Sequence, residues 1–452
     1  MSEPQPSEKQ SSARPSVVRF AVLAWLCAAA ALAYVSRNAL AVAESTVRGD
    51  LGLTKEQSGW LMSAFFISYA VFQIPGAWVG QRFGARPALP AFAVAWSLAT
   101  VAMAAGGFFM LIVSRVAKGL SQAGLVPVCT GVIAKWFPRT GRAFATGALA
   151  SFMSVGGAAG AALTGWLVVA IGWRWMFALY SLPGLLWAAW FWKWFRNAPQ
   201  EHGSVNAAER ELIEHQRPAA RAVESPSPAI AGPNRDPRSP APTTPWLQLL
   251  TSPAMWCICG QQFFRAAGYM FFASWFATYL QESRGVTIGK SGLLTMLPLL
   301  SVVVGSLAGG VVSDALLRQT RSIRLARQAV AGCSLGLCAA LTLSAYFFAD
   351  ALAAVLIISA GSFFAAVAGP CGYTITIDMG GDHVPMVNSV MNMCGNLGAM
   401  LLPIAVPWLL RETGSWNAVL LSFGALYVAA ALCWWCLRAE GDVFDQALRS
   451  KL

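Results

Sequence analysis

Apolar segments of about 18 residues or more recur along this chain from Val17 to Leu437. As a helix, each is long enough to cross a hydrocarbon core of about 30 Å. A soluble helix would interrupt such runs with a polar face every turn. Hydrocarbon offers the backbone no hydrogen bonds, so segments of this kind must satisfy their own N–H and C=O groups. The fold class is therefore an all-α membrane protein. Only 12% of the 452 residues are charged, against about 25% in a soluble domain. The 19 Trp residues suit the aromatic belts that membrane helices place at the interfaces.

Twelve transmembrane helices are predicted, at 17–43, 57–80, 87–106, 108–135, 143–170, 174–196, 254–280, 289–312, 326–348, 351–378, 385–410 and 416–437. They form two six-helix bundles, 17–196 and 246–437. Between them, 197–245 is rich in Pro, Ser, Arg and Glu and reads as a linker, with a short surface helix starting at Asn206. Residues 1–16 are polar and read as a disordered terminus, and 438–452 as a tail. The run from Val17 is too long for a signal-peptide core and has no small-residue cleavage site, so it is taken as a retained first span.

The net charge of +12 would suggest nucleic acid in a soluble protein. Here the basic residues gather in alternate loops, which makes it a topology signal. Lys9, Arg14, Arg19, Arg82, Arg86, Lys135, Arg139, Arg142, Arg318, Arg321, Arg324 and Arg327 fall on one side. Arg48, Lys55, Arg174, Arg284, Lys290 and Arg411 fall on the other. Positive loops stay in the cytoplasm, so both termini and the linker are expected there, around a cell membrane (the inner membrane in a bacterium). The ten Cys mostly sit in apolar stretches, and Cys257/Cys259 and Cys433/Cys436 lack partners at zinc-site spacing. His202, His215 and His383 fall in loops. Neither a metal, a cofactor nor an intramembrane His relay is expected.

The halves repeat weakly. Gly76-Ala-Trp-Val-Gly-Gln-Arg-Phe-Gly-Ala-Arg follows the second span, and Gly309-Gly-Val-Val-Ser-Asp-Ala-Leu-Leu-Arg the eighth. Each is a glycine-bearing helix end leading into a basic loop. Repeats of this kind place a binding site near the midplane between them. The Gly156-Gly-Ala-Ala-Gly-Ala-Ala stretch reads first as a close-packing face.

These two loops resemble the signature of the major facilitator superfamily. Arg115-Val-Ala-Lys-Gly-Leu-Ser-Gln-Ala-Gly-Leu-Val-Pro, followed by Lys135-Trp-Phe-Pro-Arg-Thr-Gly-Arg-Ala, is similar to the fourth helix and exit loop of its anion:cation symporter family. That family includes bacterial galactonate and hexuronate transporters, sialin and the vesicular glutamate transporters. Gly172-Trp-Arg-Trp-Met-Phe, Asn197-Ala-Pro-Gln-Glu-His and Asn392-Met-Cys-Gly-Asn-Leu-Gly also resemble its pattern. The resemblance covers 17–437 apart from the linker, and implies a transporter that works by alternating access. Three positions depart from it. Ser36, Gln122 and Gln81 stand where the family often carries Asp, Glu and Asp. In proton-coupled members the first two acids carry the proton chemistry, and neither replacement titrates near neutral pH.

Buried cations dominate the candidate site. Arg37, Arg115 and Arg265 lie deep in spans 1, 4 and 7, where an Arg is costly unless it faces a cavity or a partner. A guanidinium fork suits a carboxylate; the bland alternative is pairing with an acid or a helix end. Lys118, one turn from Arg115, is read either as snorkelling or paired, or as a second anion contact or proton carrier. The resemblance marks Tyr69 as a binding residue, with Gln73 on the same helical face. Gln122, Asn392 and Asn396 can bind hydroxyls or a carboxylate, or simply join helices. Ser36, Asp378, Asp314 and Arg82 are assigned to gating or coupling.

Positive charge with almost no buried acid points to a small organic anion, a sugar acid or a mono- or dicarboxylate. A cation or drug extruder would need buried Asp or Glu facing a greasy cavity. A receptor or membrane enzyme would need a sensor domain or a catalytic constellation. Uniport or exchange is favoured over proton symport, with sodium a lesser alternative. The protein is read as a monomer.

Overall fold

A computed structural model of the chain describes residues 14–215, 244–286, 288–348 and 350–444. Most of 1–16, the middle of the linker and most of the tail lie outside them. The described chain is helical, without strands. Its twelve rods are α1 (Val18–Leu51), α2 (Lys55–Val71 and Gln73–Phe83), α3 (Ala85–Ala105), α4 (Phe108–Ala123 and Leu125–Trp136), α5 and α6 (the two parts of Arg142–Trp194), α7 (Pro253–Ser274 and Phe276–Arg284), α8 (Ile288–Thr320), α9 (Arg324–Ala329 and Val330–Ser344), α10 (Ala351–Met379), α11 (Val384–Thr413) and α12 (Trp416–Cys436).

The breaks have local causes. Pro75 has no N–H to offer the Val71 carbonyl, and α2 bends by 48° there. Pro127 acts likewise on the Ala123 carbonyl in α4. Gly172, at φ +78°, turns α5 into α6 in a conformation that a side chain would strain. Side chains begin other helices: Thr54 and Gln57 form a capping box on α2, Asp350 caps α10 through the Ala353 N–H at 2.7 Å, and Ser415 caps α12.

Eight described helices, with the α5–α6 rod counted once, are individually long and apolar enough to span a membrane, and α2 qualifies as a bent pair. By contrast α7 does not reach that hydropathy, because it carries Gln261, Gln262 and Arg265. Its counterpart in polar content, α11, carries Asn388, Asn392 and Asn396.

Glycines set the packing in parallel ways in the two halves. A methyl at Gly156 of α5 would lie 2.6 Å from the Ala31 Cα on α1, and one at Gly398 of α11 would lie 3.0 Å from the Phe263 carbonyl carbon on α7. Gly119 seats α4 on α2 at Phe65 and Tyr69, and Gly305 and Gly309 seat α8 on α10 at Phe363 and Val367. The Gly156 stretch is thus the close-packing face its composition suggested.

The start of the linker is not a free tether. Residues 195–215 pack on the first half, burying Phe195, His202, Val205, Glu209 and Ile213. The short helix Ala207–His215 brings Glu209 under the start of α1. There its carboxylate accepts the Arg19 N–H at 3.2 Å, pairs with the Arg19 guanidinium at 2.8 Å and contacts Ser16 Oγ. The sequence reading missed this because a polar, proline-containing stretch reads as loop whatever it packs against.

Candidate functional site: a cationic layer and a charged gate

Arg37 stands midway along α1 inside an aromatic cage. Its guanidinium carbon lies 4.3 Å from the Tyr34 ring centre, 4.5 Å from Tyr69 and 4.8 Å from Phe65. Such rings stabilise a cation through their π faces and leave its in-plane N–H groups for an acceptor. Its Nε donates to Gln122 Oε1 at 3.3 Å. Gln122 in turn donates to the Ala33 carbonyl at 3.2 Å and to Ser36 Oγ at 3.4 Å. The two departing positions whose acids carry the proton chemistry in proton-coupled members, Ser36 and Gln122, are therefore in contact, and a neutral amide and a hydroxyl hold them together.

Arg115 and Lys118 are more deeply enclosed. The Arg115 guanidinium donates to the carbonyls of Leu61, Met62 and Arg37 at 3.0, 3.3 and 3.4 Å. This ties α4 to α2 and α1. Lys118 Nζ donates to the Ser36 carbonyl at 2.6 Å. Both are buried. The structure thus places them behind Arg37, engaged with backbone within the first half.

In the second half, Arg265 of α7 donates to Gln262 Oε1 at 2.9 Å, and its Nε is buried without a partner. Tyr34, Tyr69, Tyr269 and Tyr373 lie within electrostatic range of Arg37, Arg265 or each other. Two guanidiniums, one from each half, therefore share a layer of tyrosines. Among the described residues no carboxylate pairs with Arg37, Arg115 or Arg265. Gln73 and Asn392 join the halves at this level, with Asn392 Nδ2 donating to Gln73 Oε1 at 3.1 Å. Asn396 donates back to the Asn392 carbonyl at 2.9 Å.

Toward the end that carries both termini, the halves are locked by charge. Asp314 of α8 accepts the N–H groups of Ala143 and Phe144, at the start of α5, at 3.3 and 2.7 Å. It also pairs with Arg327 at 2.9 Å. Arg327 reaches Asp378 at 3.3 Å and the Arg139 carbonyl at 2.9 Å. Asp378 completes the network with Arg142 of the first half at 3.1 Å. All four side chains are buried or nearly so. Arg82 lies at the exposed end of α2.

Sequence reasoning assigned both Asp378 and Asp314 to gating or coupling; the structure brings the two together on Arg327. It had Arg142 and Arg327 only as topology signals. Nothing local distinguishes these two from the other loop arginines. Tyr34 and Tyr269 were also missed, though each lies one turn from an arginine, at i,i+3 and i,i+4.

Two like six-helix halves around a cationic polar layer, shut at one end by a charged network, define a membrane transport protein. A family profile described as Major Facilitator Superfamily matches residues 26–325 and 262–447, and the chain belongs to that superfamily. A probable sulfoacetate transporter of Cupriavidus necator is 31% identical over 421 residues, covering 92% of each chain. A probable galactarate/D-glucarate transporter of Bacillus subtilis is 29% identical, covering 92% of this chain and 90% of its own. The D-galactonate transporter of Escherichia coli O6:H1 is 29% identical, covering 89% and 92%. The fold is shared with a proton:xylose symporter (TM-score 0.69, 13% identity, covering 92% of this chain and 95% of that one). It is also shared with a human organic anion transporter (TM-score 0.67, 15% identity, covering 94% and 100%).

Proposed function

We propose that this chain transports a small organic anion, a sugar acid or a short dicarboxylic or sulfonated acid, with Arg37 holding the acid group. The observation that carries this is the state of Arg37: caged by aromatic rings, hydrogen-bonded to a neutral amide, and paired with no carboxylate among the described residues. A cation held in this way is stabilised by an anion that arrives and leaves. Arg265, from the other half, suits the far end of the substrate, so that occupancy bridges the halves. Relatives named for sulfoacetate, galactarate/D-glucarate and D-galactonate support an acid of two to six carbons. Arg115 and Lys118 are positioning residues behind the site.

The end bearing the termini is the cytoplasmic one in this reading, and the Asp314–Arg327–Asp378–Arg142 network must part for the site to face it. Coupling follows the amide at Gln122: uniport or exchange, with no proton carried. The test is counterflow in proteoliposomes after a thermal-shift screen of sulfoacetate, D-glucarate, galactarate and D-galactonate. One of these should stabilise the protein and exchange. Arg37→Lys keeps the charge, loses the planar fork, and should lose most of the exchange. Wild-type exchange in both Arg37→Lys and Arg37→Gln, at equal expression, would remove Arg37 as the anchor. Reporter fusions at residue 230 and at the C-terminus should both read cytoplasmic.

A further inference from the structure

Gln73 occupies an unusual place. It is the first residue after the break in α2, where Pro75 interrupts the helical hydrogen bonds. Its side chain is fully buried. Its Oε1 accepts from Asn392 Nδ2, across the seam between α2 and α11, at 3.1 Å. Its Nε2 is buried with no partner, and an amide N–H taken from water without an acceptor is unfavourable. One turn earlier on the same helix stands Tyr69, whose ring covers Arg37 at 4.5 Å. The seam between α5 and the second half is held by charge, at Asp314, Asp378 and Arg142. At the level of the site, the α2–α11 seam is held by a neutral amide pair.

We propose that Gln73 and Asn392 form a substrate-operated latch on the α2–α11 seam. This rests on the transport reading above. An oxygen of the anion held at Arg37 and Tyr69 accepts the unpartnered Gln73 N–H. The amide is planar and carries its oxygen and nitrogen on one carbon. Turning Nε2 onto the anion therefore moves Oε1 away from Asn392. Substrate binding then satisfies the orphan donor and breaks the inter-half bond in one rotation, and the seam loosens only when the site is occupied. A ligand can shift such an equilibrium only by its differential interaction with the two states, and the orphan N–H supplies that difference.

The test is hydrogen–deuterium exchange on the full-length protein in lipid nanodiscs, read at the Ala143 and Phe144 amides. These donate across the closed end to Asp314 and so report its opening. Without ligand, wild type and Gln73→Glu, which keeps the acceptor for Asn392, should exchange slowly. Gln73→Met and Asn392→Leu should each exchange severalfold faster, and the double variant no faster than either single one. D-glucarate should accelerate exchange in wild type and leave Gln73→Met unchanged. Wild-type protection in both ligand-free single variants, or additive acceleration in the double variant, overturns the latch. Equal acceleration in Gln73→Glu also overturns it, because it reports loss of packing. If D-glucarate shifts neither exchange nor melting of wild type, the substrate assignment fails, while the ligand-free arm still decides the latch.

Discussion

Asp314, on α8 of the second half, accepts the backbone N–H of Phe144 at 2.7 Å and so caps α5 of the first half. A carboxylate at a helix N-terminus takes up otherwise orphaned donors and meets the positive end of the helix dipole. Here the cap comes from the other bundle, so the stability of α5's first turn is tied to closure of the end that bears the termini.

Breaking that network should be costly. Arg327→Met leaves Asp314 and Asp378 buried without their shared partner, and removing one member of a buried pair costs about 3–5 kcal/mol. A marked fall in melting temperature of the detergent-solubilised protein is expected. Asp378→Asn, which keeps shape and one acceptor, should fall less. Equal melting of Arg327→Met and wild type would remove the network from the account of closure.

Transport without proton coupling is expected. Arg stays protonated across the working range, and the groups in contact with Arg37 at the two departing positions are Gln122 and, through it, Ser36. A preset inward proton gradient should not concentrate substrate in proteoliposomes, whereas counterflow of labelled substrate should proceed. Gln122→Glu places a carboxylate on the Arg37 guanidinium that competes with the anion. Substrate binding in that variant should weaken at neutral pH and recover as the pH falls and the acid is neutralised. Gradient-driven accumulation by wild type would contradict the uncoupled reading, and Lys118→Met and Asp378→Asn would then locate the carrier.

Two glycines separate packing from propensity. A methyl at Gly309 would meet the Val367 Cα at 2.6 Å, whereas one at Gly336 of α9 would meet nothing within 4 Å. Gly309→Ala should destabilise by about 1–3 kcal/mol through overpacking. Gly336→Ala should be neutral or stabilising by up to about 1 kcal/mol. Thermal unfolding of the two variants side by side checks the assignment.

The linker clasp should respond to acid. His202 stacks edge-on against Trp194 at 4.8 Å and Trp136 at 5.9 Å. Burial, and then the Arg196 charge, hold its pKa below the usual 6.5. A depressed folded value means that its stabilising contribution is complete above pH 6.5 and is lost as the pH falls through the folded pKa. Residues 197–215 should therefore gain deuterium faster as the pH is lowered from 7 toward 5, after correction for intrinsic exchange. His202→Phe keeps the ring and removes the titration, so its segment should show no such change.

What the sequence determined by itself follows from periodicity and transfer energy. Apolar length set the spans, loop charge set the expected sides, and the cost of a buried guanidinium singled out Arg37 and Arg265. The Ser36 and Gln122 departures were legible because they lie on a recognisable pattern. Those signals are local, and they are carried by residues whose chemistry is unusual for their surroundings. Tertiary structure decided the rest. Arg142 and Asp378 are 236 residues apart in the chain and 3.1 Å apart in space. Asp378 stood out as a carboxylate near the end of a span, but Arg142 was one loop arginine among several, and nothing local pairs the two. The same holds for Gln73, 319 residues from Asn392. Arg115 and Lys118 looked as available to an anion as Arg37 did. Only the packing of α4 against α1 and α2 commits them to backbone carbonyls, because hydrogen-bond partners inside a membrane are set by which helix faces meet.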